Sequence, residues 1–347
     1  MKTLHRPALA SAVALSAWVA ASGWAAAQAP AEFYKGKQLT FIVGSSPGGG
    51  YDAQARLLAR HLSKHMPGNP SIVVQNLPAA GSLQAANNLY NISPKDGSTF
   101  GMVQRGMLTA TLTNPTGVRF DIAKFNWIGN MASETAVVVA WADSPIQTTE
   151  DLFTKEMIVG GTGPTIDTET TPRLLNALIG TKFKVISGYP GTTEVTLAME
   201  RGEVMGLGDW SWSNVKSRRG DYLRDKKIRV LMQSALEKEP DLPDVPLALD
   251  YVKNAEDRQI MELIMAQKTV ARPLVAPPDV PKDRIEALRT AFMATGKDLD
   301  FMQDADKSKL DIGMTSGADV DKVVARIVKT PPALADKLSA AIAPPTR

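Results

Sequence analysis

Cysteine is missing from all 347 residues, so disulfides, thiolate metal sites and cysteine nucleophiles are excluded. Histidine is scarce: the only three are His5, His61 and His65. A serine hydrolase of the nucleophile-elbow type needs a late histidine, and none follows residue 65. His61 and His65 have the spacing of a zinc-binding helix. Leu62, however, stands where that motif carries glutamate, and no third ligand is in sight, so no metal is expected. Beyond the first 27 residues no apolar run approaches the ~18 needed to span a membrane. An excess of one charge is lacking too. There are 39 basic and 36 acidic residues, and Lys2 and Arg6 account for two of the basic ones. No nucleic-acid partner is expected on that balance. The densest basic stretch holds Lys216, Arg218, Arg219, Arg224, Lys226 and Lys227. Asp221 and Asp225 interrupt it, so it reads as a solvated helix face.

What is present is a globular composition, 22% charged and 44% hydrophobic, in a chain long enough for two domains. Residues 1–27 have the pattern of a signal peptide: Lys2, His5 and Arg6, then an apolar run over 8–21, then Ala25-Ala26-Ala27. The expected product is exported, soluble and cleaved before Gln28. With no cysteine to carry a lipid, no anchor is expected. Export also argues against cytosolic nucleotide cofactors, and no cofactor is expected.

The chain is organised around Gly44-Ser45-Ser46-Pro47-Gly48-Gly49-Gly50-Tyr51-Asp52. An apolar run over 39–43 precedes it as a buried strand. Ala55, Leu58, Ala59, Leu62 and Met66 follow at the spacing of one helix face. A glycine-rich turn between strand and helix leaves backbone N–H groups at the positive helix end, which makes an anion site. Three chemistries fit such a turn. A dinucleotide site would use Gly48, Gly50 and Ala53, but the next strand ends in Gln75-Asn76 rather than in an acid. A nucleophile elbow would need an N–H after Ser46, and Pro47 has none. Capture of a carboxylate without reaction needs nothing the chain lacks.

Strand, loop and helix then alternate. Runs at 71–75 and 99–103 read as further strands of a parallel α/β sheet, whose ligands sit at the carboxyl ends of the strands. Ala80, Gly81 and Ser82 close the loop after the second strand, with Ser82 as a helix cap. Residues 132–136 read as a crossing into a second domain. That domain repeats the alternation, with glycine-rich loops at Gly160-Gly161-Thr162-Gly163 and Gly188-Tyr189-Pro190-Gly191, and a loop Gly208-Asp209-Trp210-Ser211-Trp212 after the run 204–207. The run 228–233 reads as its last strand and the return crossing. The expected division is 1–27 signal peptide, 28–133 first part of domain 1, 134–233 domain 2, and 234–347 second part of domain 1 with the C-terminal helices. Two such α/β domains, joined by two crossing segments, can close on a small ligand in the cleft between them.

Arg105 follows a strand at the cleft edge, where it could grip a ligand carboxylate or form a salt bridge within the first domain. Asp52 could orient a ligand or cap the first helix. Asp167 could meet a ligand or hold its own loop by an Asx turn. Trp210 and Trp212 could stack on a flat ligand or pack in the core.

In order along the chain, Pro47-Gly48-Gly49-Gly50-Tyr51-Asp52, the loop 76–82, Pro94-Lys95-Asp96-Gly97, the loop 160–167, Gly188-Tyr189-Pro190-Gly191 and Leu242-Pro243-Asp244-Val245-Pro246 resemble the Bug/TctC family, extracytoplasmic receptors of tripartite tricarboxylate transporters. The resemblance covers nearly all of the expected mature chain. It implies a type II periplasmic-binding-protein fold, a periplasmic location, no catalysis, and small organic carboxylates as ligands. It implies that the loops matching 46–52 and 161–167 close on one carboxylate. The ligand-binding set expected is Ser46, Pro47, Gly48, Gly49, Gly50, Tyr51, Asp52, Ala80, Gly81, Ser82, Arg105, Gly161, Thr162, Gly163, Thr165, Asp167, Tyr189 and Trp210. The expected partners are that ligand and the membrane subunits of such a transporter, with the protein itself a monomer. The alternatives are a secreted hydrolase or lyase acting on a small organic acid, and a receptor that presents its ligand to a signalling sensor.

Overall fold

The computed structural model describes residues 29–113, 117–164 and 166–343; the expected signal peptide and Thr165 lie outside the described residues. The strands are β1 (Gln38–Val43), β2 (Ser71–Asn76), β3 (Thr99–Met102), β4 (Asn126–Asn130), β5 (Ala136–Trp141), β6 (Met157–Gly161), β7 (Phe183–Ser187), β8 (Gly206–Ser211), β9 (Ile228–Ser234), β10 (Pro273–Ala276) and β11 (Thr315–Ser316). They form a six-stranded sheet, β11-β4-β10-β3-β1-β2, and a five-stranded sheet, β7-β6-β8-β5-β9.

Each sheet is covered on both faces, which is why its central strands read as unbroken apolar runs. Along β1, Leu39, Phe41 and Val43 enter one core and Ile42 the opposite one. Along β5, Val138 and Ala140 face one core while Val137 and Val139 face the other. This is the two-residue alternation of a strand with two buried faces. The covering helices used below are α1 (Gly50–Leu62), α2 (Leu83–Asn91), α3 (Ala110–Thr113), α4 (Asp167–Ile179), α5 (Thr192–Glu200), α6 (Trp212–Arg218), α7 (Ala255–Ala266), α8 (Lys282–Thr295), α9 (Leu299–Lys307), α10 (Gly317–Val328) and α11 (Pro332–Ile342).

The sheets are mixed rather than purely parallel. β1 runs parallel to β2 and β3, and β6 to β7 and β8. β10 is antiparallel to β3 and β4, β11 to β4, and β5 to β8 and β9. The interior antiparallel strands β10 and β5 are the first that the chain lays down on arriving from the other sheet.

The chain leaves the first sheet after Asn130 and enters the second at Ala136. It does not return at 228–233. That segment is β9, paired with β5 in the second sheet, and α7 follows with Ile260, Met261, Ile264 and Met265 in the second core. The return runs through 267–272 into β10. The two crossings lie side by side: the Glu134 amide donates to the Lys268 carbonyl (2.9 Å), Ala271 to Ala132 (3.1 Å) and Met131 to Arg272 (3.2 Å). A third passage follows α10. Helix α11 sends Leu338 and Ile342 into the second core, packs on α4, and also touches α3 of the first domain. The C-terminal helices are thus divided between the domains. β8 also differs from expectation, since it continues through Asp209 and Trp210 to Ser211.

His61 and His65 have a structural account. Their Nε2 atoms lie 2.9 Å from Asp304 and 2.8 Å from Asp298, the latter capping α9.

Leu338 is fully buried in a core whose members, apart from residues of its own helix, lie far away in sequence. Leu338→Ala should cost about 2–5 kcal/mol in urea unfolding. A cost below about 0.5 kcal/mol would show that α11 is not part of that core.

Candidate functional site

Three helix N-termini face one cavity between the two sheets. It holds about 90 Å³. The first end is that of α1, capped by Gly49, whose backbone is extended. Gly48, at φ +80°, makes the turn that brings the chain there. The amides of Gly50, Tyr51 and Asp52 have no hydrogen-bond partner among the described residues. The second end is α4, where Ile166, Asp167 and Thr168 line the cavity. The third is α5, where Gly191, Thr192 and Thr193 do so. First-turn amides lack carbonyl partners within their own helix and carry its positive partial charge. Side chains add hydroxyls and an amide: Ser45, Ser46, Ser211 and Asn214. Three buried polar atoms of lining residues have no partner, Ser45 Oγ, Trp210 Nε1 and Arg272 Nε.

The charged groups at the cavity are balanced by one another. Arg105, 6% exposed, donates through Nε to Asp167, and through Nη2 to Asp209 at 2.9 Å. Lys268, on the return crossing, lies 2.5 Å from Asp209 and 3.4 Å from Asp167. Two cations thus face two carboxylates, all buried. Burial raises the cost of the Asp167 charge, but Arg105 and Lys268 outweigh it and hold its carboxyl below the usual range. Burial opposes the Arg105 charge as well, yet Asp167 and Asp209 leave it raised above its ordinary value. Arg272 forms a second set: its Nη2 donates to Glu134 (2.9 Å) and Ser211 (3.1 Å), and its guanidinium lies 4.3 Å from the Tyr51 ring centre.

Of the expected set, Ser46, Gly49, Gly50, Tyr51, Arg105, Thr162, Asp167 and Trp210 line this cavity. Arg105 and Asp167 do so while paired to each other across the domains, so Arg105 is in a salt bridge, but one that reaches the second domain rather than the expected one within the first. The others are placed elsewhere. Asp52 neither caps α1 nor faces the cavity; it accepts from the Gly48 amide (2.8 Å), Arg56 (2.9 Å) and Asn76 (2.9 Å). Burial works against its charge, and those partners hold its carboxyl below the usual value. Ser82 stands at the N-cap position of α2, but its side chain makes no capping bond; its Oγ accepts from the Gln104 amide at 3.0 Å. Gly81 and Gly163 meet backbone to backbone between the domains, so close that a Cβ on Gly163 would lie 3.3 Å from Gly81. Gly161 packs on Glu169, and Tyr189 packs against the second-domain core. Ala80 is exposed. Pro47 and Gly48 line an adjoining chamber.

Sequence reasoning missed Ser45, Thr168, Thr192, Thr193, Asp209, Ser211, Asn214 and Arg272 on the lining. Thr192 and Thr193 carried a signal, since they end the same glycine-rich loop as Tyr189. Asn214 and Arg272 carried none, because nothing local marks a residue that only the domain arrangement brings in.

A family model described as tripartite tricarboxylate transporter family receptor matches residues 54–340. A UPF0065 protein from the gbd 5′ region of Cupriavidus necator is 28% identical over 228 residues, 63% of this chain and 66% of that relative, just under two thirds of its length. Among solved structures, the periplasmic binding protein BugD aligns with TM-score 0.70 at 18% identity, covering 89% of this chain and 98% of its own. MatC from Rhodopseudomonas palustris, solved with bound malate, aligns with TM-score 0.68 at 18% identity, covering 88% and 99%. These likenesses are to periplasmic binding proteins, and the two-domain fold is theirs.

Arg105→Ala would leave Asp167 and Asp209 buried with Lys268 alone. It should cost about 3–5 kcal/mol in urea unfolding at pH 7 without any ligand. The sign with pH follows from Asp167. Its lowered carboxyl contributes fully above the unfolded value, near 3.9, and loses that contribution as pH falls through the lowered one. The wild type should therefore gain nothing from pH 5 to pH 8 through this group. The penalty in the variant should shrink below about pH 4 as its stranded carboxylates protonate. A penalty unchanged at pH 3.5 would show that charge is not its cause.

Proposed function

The chain belongs to the tripartite tricarboxylate transporter receptor family, and from that premise we propose that it captures a small organic carboxylate outside the cytoplasm and delivers it to the membrane subunits of such a transporter. The observation that carries the proposal is the meeting of three helix N-termini, from both domains, around a cavity whose charged side chains already neutralise one another. An anion there is held by amides, hydroxyls and helix ends rather than by a free cation. Three polar atoms left without partners on the same lining, Ser45 Oγ, Trp210 Nε1 and Arg272 Nε, suit a ligand with several acceptor atoms. The malate held by MatC belongs to this ligand class.

Residues 1–27 act in this reading as an export signal cleaved before Gln28, and the mature protein works as a monomer. Mass spectrometry of protein from the native host should find a mature N-terminus at Gln28; an intact Met1 on the soluble protein would overturn the export step.

Ligand binding is tested first by thermal shift across mono-, di- and tricarboxylates. An acid present at 100 times its Kd should stabilise the protein by about 2.7 kcal/mol. The grip is tested with two variants and titration calorimetry. A Cβ on Gly49 would meet only the Ser46 carbonyl, at 3.5 Å, and its φ suits any residue. Gly49→Val should fold normally and lose most of its affinity through bulk at the cavity wall. Ser46 Oγ donates to the Pro190 carbonyl of the other domain at 3.1 Å. Ser46→Ala should cost only about 1 kcal/mol. Binding by Gly49→Val at wild-type strength would show that the α1 turn does not hold the anion.

A further inference from the structure

Donors and acceptors are unevenly left over on the cavity wall. Its two acids, Asp167 and Asp209, have every carboxylate oxygen engaged from within the chain. Asp209 accepts from Arg105 Nη2 at 2.9 Å on one oxygen and from Lys268 Nζ at 2.5 Å on the other. Asp167 accepts from Arg105 Nε on one oxygen, with Lys268 Nζ 3.4 Å away, and from Gln267 Nε2 at 3.4 Å on the other. Lys268 does not line the cavity; it reaches the two acids from the return crossing.

The other carboxylates nearby are committed or stand off the wall. Glu134 pairs with Arg272, and Glu169 with Arg173. Asp52 is held by Arg56 and Asn76. Glu194 has an oxygen without a partner beside Gly191, but it does not line the cavity. What remains open on the wall is mainly donors. Trp210 Nε1 and Arg272 Nε can only donate, as can the free amides of Gly50, Tyr51 and Asp52, while Ser45 Oγ can do either. The three helix ends add positive partial charge.

An ammonium group is the reverse of what such a wall takes. It brings donors, no acceptor and a full positive charge. Held there, it would lose its water, face the positive helix ends and meet acids that already have their cations. A hydroxyl at the same place can accept from the open donors and carries no charge. We propose that the cavity rejects amino acids and selects organic acids that carry no amine, because Arg105 and Lys268 already occupy the two acids that a ligand ammonium would need. Lys268 is then a specificity-determining residue that never touches the ligand, a built-in substitute for the ammonium of an amino acid. The inference rests on the carboxylate reading of this cavity and narrows it.

The test is titration calorimetry at pH 7 with matched acids, each skeleton bearing hydrogen, hydroxyl or ammonium at the same carbon and in the same configuration. The sets are propionate, lactate and alanine; succinate, malate and aspartate; and 3-phenylpropionate, 3-phenyllactate and phenylalanine. In each set that binds, the amino acid should be weaker than its hydroxy partner by at least about tenfold, the weight of one unmet charged group. Hydroxyl and ammonium are close in size, so a loss confined to the amino acid is a loss due to charge. Lys268→Met should remove most of the discrimination, since the ligand ammonium can then pair with Asp209. Lys268→Gln, also uncharged, makes the same test if Lys268→Met fails to fold. Lys268→Arg should discriminate as the wild type does. So should Lys268→Met combined with Asp209→Asn, which removes the pair together. Equal affinity of amino and hydroxy acids for the wild type would overturn the inference and leave the carboxylate site standing. So would a folded Lys268→Met or Lys268→Gln variant that discriminates like the wild type. Failure of every amine-free acid, in these sets and in the thermal-shift panel, would overturn the carboxylate reading itself, and this inference with it.

Discussion

Arg105 reaches from the first domain into two carboxylates of the second, and the meeting of the two halves depends on that contact. All the groups involved are buried, so each charge is tolerable only while its partners remain. Moving the domains apart would strip Asp167 and Asp209 of Arg105 unless water entered to replace it. Lys268 would remain beside them, because it sits on the crossing rather than on either sheet. The crossing therefore carries part of the electrostatic balance as well as the covalent link. The neighbouring Glu134–Arg272 pair has the same character, since one partner comes from each crossing strand of chain. Rotation about these segments then has a fixed pivot: the ion pairs and backbone hydrogen bonds between the crossings persist, while Arg105–Asp167, Ser46–Pro190 and the Gly81–Gly163 contact must part.

This balance also determines what the cavity can do. A pocket with a free arginine would bind many anions strongly and indiscriminately. Here the inner charges cancel, and attraction comes from amide dipoles whose directions are fixed by three helices. Such dipoles are pre-organised and need no rearrangement when the ligand arrives. Because α1 belongs to one domain and α4 and α5 to the other, the full set of donors exists only when the domains meet. In the proposed reading, grip and closure are then a single event in the same energy balance.

Much of this was legible in the sequence, for a physical reason. Strands buried on both faces and a proline-glycine turn before an amphipathic helix are local signals. They placed β1, the α1 turn and the general two-sheet plan. Long-range placement left no such trace. β9 and α7 carry apolar patterns that suit either domain, so the return crossing was expected some 40 residues too early by the spacing of ordinary elements. Asp209 was read as loop because an acid in a buried strand makes sense only once Arg105 and Lys268 are beside it. Arg219 was read as solvated for the opposite reason. Its stretch of sequence mixes both charges, but in space its guanidinium is bonded to Thr196 and the Arg218 carbonyl, with no carboxylate at ion-pair distance among the described residues.

Helix α11 gives the second core a piece of chain that follows the whole of the first sheet in sequence. The first domain likewise waits for β10, β11 and α10 until the second has been traversed. Neither half is a contiguous stretch that could collapse to its final form while the remainder is still being made. The fold is thus interleaved, and its two cores should be gained and lost as a single cooperative unit. A cut in the chain, or a fusion placed between the halves, would leave both incomplete. The segments that join the two walls of the cleft are the same ones that prevent either wall from existing without the other.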